Sequence, residues 1–253
     1  MRRWIIFISF MVVAVGLTIW VTEMEMIGIH HMRTYADILR ETRIHLLNLV
    51  FPSVLIATLI AVALGVLITR SGLKGLAAPI MGIVSAAMAV PSMAVLAIMV
   101  PILATPFFRS LGLRPFGTDP ALIALVVWGV LPILRNTYAG INNIRPGVLE
   151  AAQGMGMTRG QIARRIELPL ALPVIMAGIR VTTVILVGTA ALAAVVGAAG
   201  LGRIIMAGVV NRVPLLTLQG AAPTAALAII LSTVLGYVER RVTPRGVRVE
   251  TAF

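Results

Sequence analysis

The sequence predicts an all-α integral membrane protein with six membrane-crossing helices, and three observations carry that prediction. Of its 253 residues, 59% are hydrophobic and only 12% charged, with a mean hydropathy of +1.03, whereas about a quarter of the residues of a soluble domain are charged. The apolar residues gather into runs at 4–22, 46–68, 76–104, 121–140, 171–196 and 214–238, each about the ~20 residues needed to cross a bilayer as a helix. The basic residues, which set a formal charge of +12, fall between these runs. Nucleic acid as a partner would call for a basic patch or stripe instead, so membrane lipid is the expected surroundings and nucleic acid is not.

Taken in order, Arg2 and Arg3 precede an apolar run from Trp4 to Val21. That run is longer than the core of a usual secretory signal and no small-x-small cleavage site follows, so it is expected to be a retained first span, with Trp4 and Trp20 as interfacial anchors. Segment 23–45 is polar, with Asp37, Arg40, Glu41 and Arg43 crowded together, and is expected on the outer surface. Its His30, His31 and His45 make no metal site, since adjacent histidines do not share a helix face or complete a ligand set. The run at 76–104 contains Pro79, Pro91 and Pro101, with Pro106 just beyond it, and prolines in these positions kink or break a helix. Pro132, Pro214 and Pro223 have the same effect later. Such breaks are tolerated in membranes where neighbouring helices or a cavity satisfy the freed carbonyls, which favours a bundle with a pathway over a simple anchor.

Six spans put both termini on one side. The other side receives Arg33, Arg40, Arg43, Arg109, Arg114, Arg203 and Arg212; Arg180 lies within a span, and the remaining thirteen of the 21 basic residues share the side of the termini. By the positive-inside rule, the termini and the loop at 141–170 are expected in the cytoplasm.

What the spans lack narrows the function. None of the nine acidic residues falls inside a predicted span, so the membrane relay of a proton-coupled pump and the carboxylate pair of a hydrolase are both missing. Cysteine is absent, which excludes disulfides, thiolate metal sites and a cysteine nucleophile. No Gly-Lys-Ser or Gly-Lys-Thr is present to cradle a nucleotide. The chain is therefore expected not to be an enzyme and to bind no cofactor itself. Candidate pathway residues are Pro91, Ser92, Trp128, Asn136 and Arg180. Each also has a plainer role: Ser92 and Asn136, like Thr137 and Gln219, as interhelical hydrogen-bond partners, Trp128 in core packing, and Arg180 as a cation reaching back to the interface.

The longest polar stretch is EAAQGMGMTRGQIARRIELPLALP, residues 150–173. Arg145 and Pro146 suit a helix start, because proline at the first helical position gives up a donor that would be unpaired anyway. A short helix through Glu150, Ala151 and Ala152 is expected to end in a turn at Gly154 and Gly156. Thr158 begins a second helix, completing a capping box with Gln161, and Leu168 and Pro169 are expected to end it. The two alanines present little side chain, so another protein could approach closely.

Glu150-Ala151-Ala152, then Gly156, then Ile166, Leu168 and Pro169 resembles the EAA signature of the membrane subunits of ATP-binding-cassette importers. AVPSMAVLAIMVPIL (89–103), ALIALVVWGVLPILRNTYAGI (121–141), GMGMTRGQIARRIELPLALPVIMAGIR (154–180) and GTAALAAVVGAAGLG (188–202) resemble the branch importing glycine betaine, carnitine, choline and similar osmoprotectants. The resemblance spans residues 46–240. It implies a type I importer permease domain there, preceded by an N-terminal helix and outer segment (1–45) and followed by a basic tail (241–253). It further implies a coupling site at Glu150, Ala151, Ala152, Gly154, Gly156, Thr158, Ile166, Leu168 and Pro169. The implied partners are two cytoplasmic ATPase subunits, which bind the ATP, a second permease subunit, identical or homologous, and an external substrate-binding protein. The implied place is the bacterial cytoplasmic (inner) membrane. A quaternary ammonium ion is best bound by aromatic cages, and three Trp, three Tyr and seven Phe scattered along the chain suit a separate receptor. The alternatives are a permease of the same kind for another small solute, such as an amino acid, and an ion-coupled secondary transporter.

Overall fold

A computed structural model describes residues 33–70 and 73–242, together with Gly16 and Ile19. The first span at 4–22 apart from Gly16 and Ile19, residues 23–32 of segment 23–45 with His30 and His31, and nearly all of the tail at 241–253 lie outside the described residues. Within them every regular element is a helix. In chain order these are α1 (Tyr35–Ile68), α2 (Lys74–Met88), α3 (Ser92–Leu103), α4 (Pro106–Ser110), α5 (Thr118–Asn142), α6 (Pro146–Gly154), α7 (Arg159–Val196), α8 (Leu201–Val210) and α9 (Pro214–Val242). Four of them, α1, α5, α7 and α9, are long and apolar enough to cross a membrane, and α2 with α3 makes a fifth candidate if the bent pair counts as one span.

The bundle is centred on α5, which packs chiefly against α1 and α7, while α9 lies against α7 and α8. A bilayer gives apolar side chains no reason to leave lipid for protein, so close approach has to come from shape. The buried faces are accordingly lined by small residues. Ala57 and Ala61 of α1 have no exposed surface, and Gly129 of α5 sits where a methyl would meet Ala57 at 2.9 Å. Outward, Phe51, Leu59 and Ile83 are at least 60% exposed, an apolar surface that suits lipid and would be a liability in water.

Two expectations are refined and a third is corrected. The polar residues from Tyr35 onward belong to the first described span, because α1 runs 34 residues without interruption. Ile38 is buried in a cluster with Leu201, Ile204 and Leu216, and His45 is fully buried with Nε2 3.0 Å from the Val187 carbonyl. Ahead of α1, the buried Gln219 side chain accepts from the Arg33 amide at 2.8 Å and donates to its carbonyl at 3.1 Å. Tertiary partners thus supply what a polar stretch lacks.

Second, the run at 76–104 is two helices meeting at 97°. Only Pro91 breaks it, as N-cap of α3; Pro79 and Pro101 are carried inside their helices.

Third, Leu168 and Pro169 do not end a helix. α7 runs unbroken over 38 residues, about 57 Å at 1.5 Å per residue, roughly twice the hydrocarbon thickness. It carries a π-helical turn, Ala163–Glu167, in which the Leu168 amide reaches back to the Ala163 carbonyl. α1 has the same device at His45–Val50, two residues before Pro52. A proline has no amide to give, and its ring clashes with the carbonyl four residues back; a widened turn just ahead of it accommodates both losses. The long helix also takes in Glu167, which is buried, although no acid was expected inside a span.

The ends of the bundle are set by contacts between elements. The Gly117 amide donates to the Val196 carbonyl at 2.8 Å, joining the start of α5 to the end of α7. At the opposite end Arg70 meets Glu167, and Arg180 meets Glu239. Arg70, α6, the start of α7 and the end of α9 therefore share one end, and Arg33, Arg203 and Arg212 share the other.

Candidate functional site: an exposed helical hairpin at one end of the bundle

α5 ends at Asn142, and Arg145, extended at φ −57° and ψ 128°, begins α6 with Pro146 in its first turn. At the far end of α6 the Gly156 amide donates to the Gln153 carbonyl at 2.9 Å, and the Met157 amide to the Ala152 carbonyl at 3.2 Å. With Gly156 at φ +76°, this is a Schellman ending, in which a left-handed glycine closes the last carbonyls. Thr158 then caps α7. Its hydroxyl accepts from the Gln161 amide at 3.4 Å, and its own amide donates to Gln161 Oε1 at 2.8 Å. Both turns are closed by groups of the segment itself, so the hairpin holds its shape without a partner.

Its surface is specific in composition. Glu150, Ala151, Gly154, Gly156 and Thr158 are exposed, while Val148 and Met155 expose 39% and 73% of their surface. Ala152, by contrast, is buried, as is Ile162, so of the two alanines expected at the surface only Ala151 is there. Ile166, Leu168 and Pro169 are half-buried in and just after the π turn; they belong to the root of the hairpin, where Leu168 packs on Ile141, Ala171 and Ile175. The chemistry on offer is an apolar and acidic knob, Met155 and Glu150, on a rod continuous with a membrane-crossing helix.

The five candidate pathway residues are not gathered into one place. Pro91 is exposed at the bend and Ser92 is half-buried after it. Trp128 packs against the main apolar cluster, and its indole nitrogen is buried without a partner among the described residues. Asn136 donates to the Pro132 carbonyl at 2.8 Å and walls Gly178, where a methyl would come within 2.7 Å. Arg180 is engaged with α9: Nε donates to Ser232 Oγ at 3.2 Å, and Nη1 lies 3.7 Å from Glu239. None of the five lines the cavity of about 480 Å³ near the opposite end, whose charged walls are Arg33, Asp37, Arg40, Glu41 and Arg203. Sequence reasoning missed the pairing of Arg70 with Glu167, for which no local pattern exists.

Residues 61–244 match the family described as the binding-protein-dependent transport system inner membrane component. The chain belongs to that family. Among the permeases it resembles is the choline transport system permease protein of Bacillus subtilis, 43% identical over 78% of this chain and 84% of that one. The glycine betaine/carnitine/choline transport system permease protein of the same organism is 41% identical over the same shares. An osmoprotectant import permease protein of Salmonella typhimurium is 41% identical over 79% of this chain and 80% of that one. Of solved structures, the MetNI methionine ABC transporter in an inward-facing conformation superposes with a TM-score of 0.73 at 27% identity, covering 83% of this chain and 98% of that chain. A binding-protein-dependent permease is a multi-pass inner-membrane subunit of an ABC importer, working with ATPase and substrate-binding partners. The family match covers α2 to α9 whole, and with them the hairpin.

Proposed function

We propose that this permease forms part of the pathway importing small quaternary ammonium osmoprotectants, glycine betaine, choline or carnitine, and takes its drive from an ATPase docked on residues 146–168. The observation that carries the docking is the hairpin: a self-capped, exposed knob on a helix that continues into the bundle. A rod of this kind passes displacement along its length, whereas a flexible loop would absorb it. The substrate class is supported by identities of 41–43% to choline and glycine betaine permeases. The hairpin end is cytoplasmic in this proposal, with both termini on that side, and the working unit has two permease subunits, identical or homologous, two ATPase subunits that bind ATP, and an external binding protein.

The test is co-purification and uptake. Glu150→Lys and Gly156→Val should leave the permease in the membrane, strip the ATPase from it, and lower ATP-driven glycine betaine uptake at least tenfold, about the effect of ~1.4 kcal/mol. Retained ATPase and normal uptake in both variants would overturn the docking assignment. A second reading, an amino acid as solute, is favoured by the likeness to the methionine transporter. Calorimetry on the cognate binding protein separates them, since one receptor holds a quaternary ammonium and the other an amino acid.

A further inference from the structure

At the root of the hairpin, Arg70 Nη1 lies 2.8 Å from Glu167 Oε2, with the two side chains 30% and 12% exposed. Arg70 follows the last turn of α1, where its amide closes on the Leu67 carbonyl. Glu167 is the last residue of the π turn of α7. The pair therefore ties the end of one membrane-crossing helix to the point where another leaves the hairpin. Its neighbours are apolar: Val62 and Val66 of α1 lie against Leu168, Ala171 and Ile175 of α7 and Ile141 of α5. Apolar surfaces can slide past one another at little cost, because the dispersion attraction given up at one position is regained at the next; a pair of opposite charges held out of water cannot separate so freely.

The π turn gives this position a mechanical meaning. Such turns interrupt the regular ladder and are frequent at functional sites. Hairpin residues 159–162 lie on one side of the turn, and the membrane-crossing part of α7 lies on the other. Here the far edge is pinned to α1. The ion pair is close, yet Arg70 Nη2 and Glu167 Oε2 have no aligned hydrogen-bond partner among the described residues. The charge pair itself is therefore the contact between the two helix ends at this point.

We infer that Arg70 and Glu167 are positioning residues: their ion pair is the strut that passes hairpin displacement to α1, so that α1 moves with the ATPase cycle. This rests on the docking proposed above. The strut predicts a specific defect. Without it, the ATPase still docks and still hydrolyses ATP when the loaded binding protein arrives, but less solute crosses per ATP.

The experiment uses the complete complex, with its ATPase and cognate binding protein, in proteoliposomes, with radiolabelled glycine betaine as the probe. In Arg70→Gln, ATPase retention and stimulated hydrolysis should stay within about twofold of the unaltered complex, while uptake per ATP falls roughly five- to a hundredfold, the span of typical coupling between sites. In Glu167→Gln, which lies in the docking segment, uptake per ATP read on the complexes that keep the ATPase should fall by the same span. The exchanged pair, Arg70→Glu with Glu167→Arg, should recover at least half of the lost ratio. Unchanged uptake per ATP in both single variants overturns the strut. So does loss of the ATPase from both, which would make the pair a docking determinant, and so does an exchanged pair that assembles without recovery or fails to accumulate. An unaltered complex that hydrolyses no ATP overturns the docking itself and the strut with it, so the two failures are told apart.

Discussion

At Gly178 a methyl group would stand 2.7 Å from Asn136 Cβ and 2.9 Å from its Cγ, whereas at Gly188, on the same helix, it would meet nothing within 4 Å. One helix thus carries a glycine that packing requires and another that it does not. Gly178→Ala is expected to cost about 1–3 kcal/mol, the usual penalty of overpacking. Gly188→Ala should fall within about 0.5 kcal/mol of neutral. Thermal unfolding of the solubilised subunit distinguishes the two. Gln219 gives a second prediction. It has no exposed surface and holds the Arg33 peptide by two hydrogen bonds, so Gln219→Leu should destabilise by about 1–3 kcal/mol, leaving that peptide unpaired, and should speed hydrogen exchange at the Arg33 amide. The sequence does not tell Gly178 from Gly188, and it marks Gln219 as a hydrogen-bond partner without saying of what. Pairing across 186 positions leaves no local trace.

The elements differ in how openly they are written. The hairpin could be read in advance because its signals are local: Pro146 opens α6, Gly156 takes the left-handed turn, and Thr158 with Gln161 closes the capping box. The same locality makes it testable. Thr158→Ala should cost about 1 kcal/mol through the lost cap, and Gly156→Ala about 1–2 kcal/mol for forcing a side chain into the left-handed region. Both should appear as faster exchange over residues 146–162, with the membrane-crossing helices unaffected. Pro169 misled, because a proline is often a boundary, and here a π turn upstream accompanies the helix's passage through it, as at Pro52. The run at 76–104 shows the converse. Its prolines announce trouble, but which one breaks the helix depends on whether the neighbours can take up the freed carbonyl. α8 has an apolar sequence too short to cross a membrane, and it becomes recognisable only once Leu201 and Ile204 are seen buried against Ile38 and Leu216.

Over the whole molecule, composition sufficed for the class, an all-helical membrane bundle, because 59% hydrophobic residues cannot be hidden in a soluble core of this size. The relative sides of the loops follow from interhelical contacts at each end. Absolute orientation has a direct test, since the chain has no cysteine to remove. A single cysteine in place of Met155 should be silent to a membrane-impermeant thiol reagent added to intact spheroplasts, and one in place of Arg212 should react. The reverse pattern would invert the proposed topology.

The bend between α2 and α3 extends this to the bilayer itself. Helices of 15 and 12 residues measure about 22 and 18 Å, so neither bridges a hydrocarbon slab of roughly 30 Å. Counted as one span, the pair sets its 97° vertex within the hydrocarbon, where acyl tails offer main-chain oxygens nothing. Lipid is therefore barred from that notch, and the assembled transporter must keep it wet or plugged by a neighbouring chain even at rest.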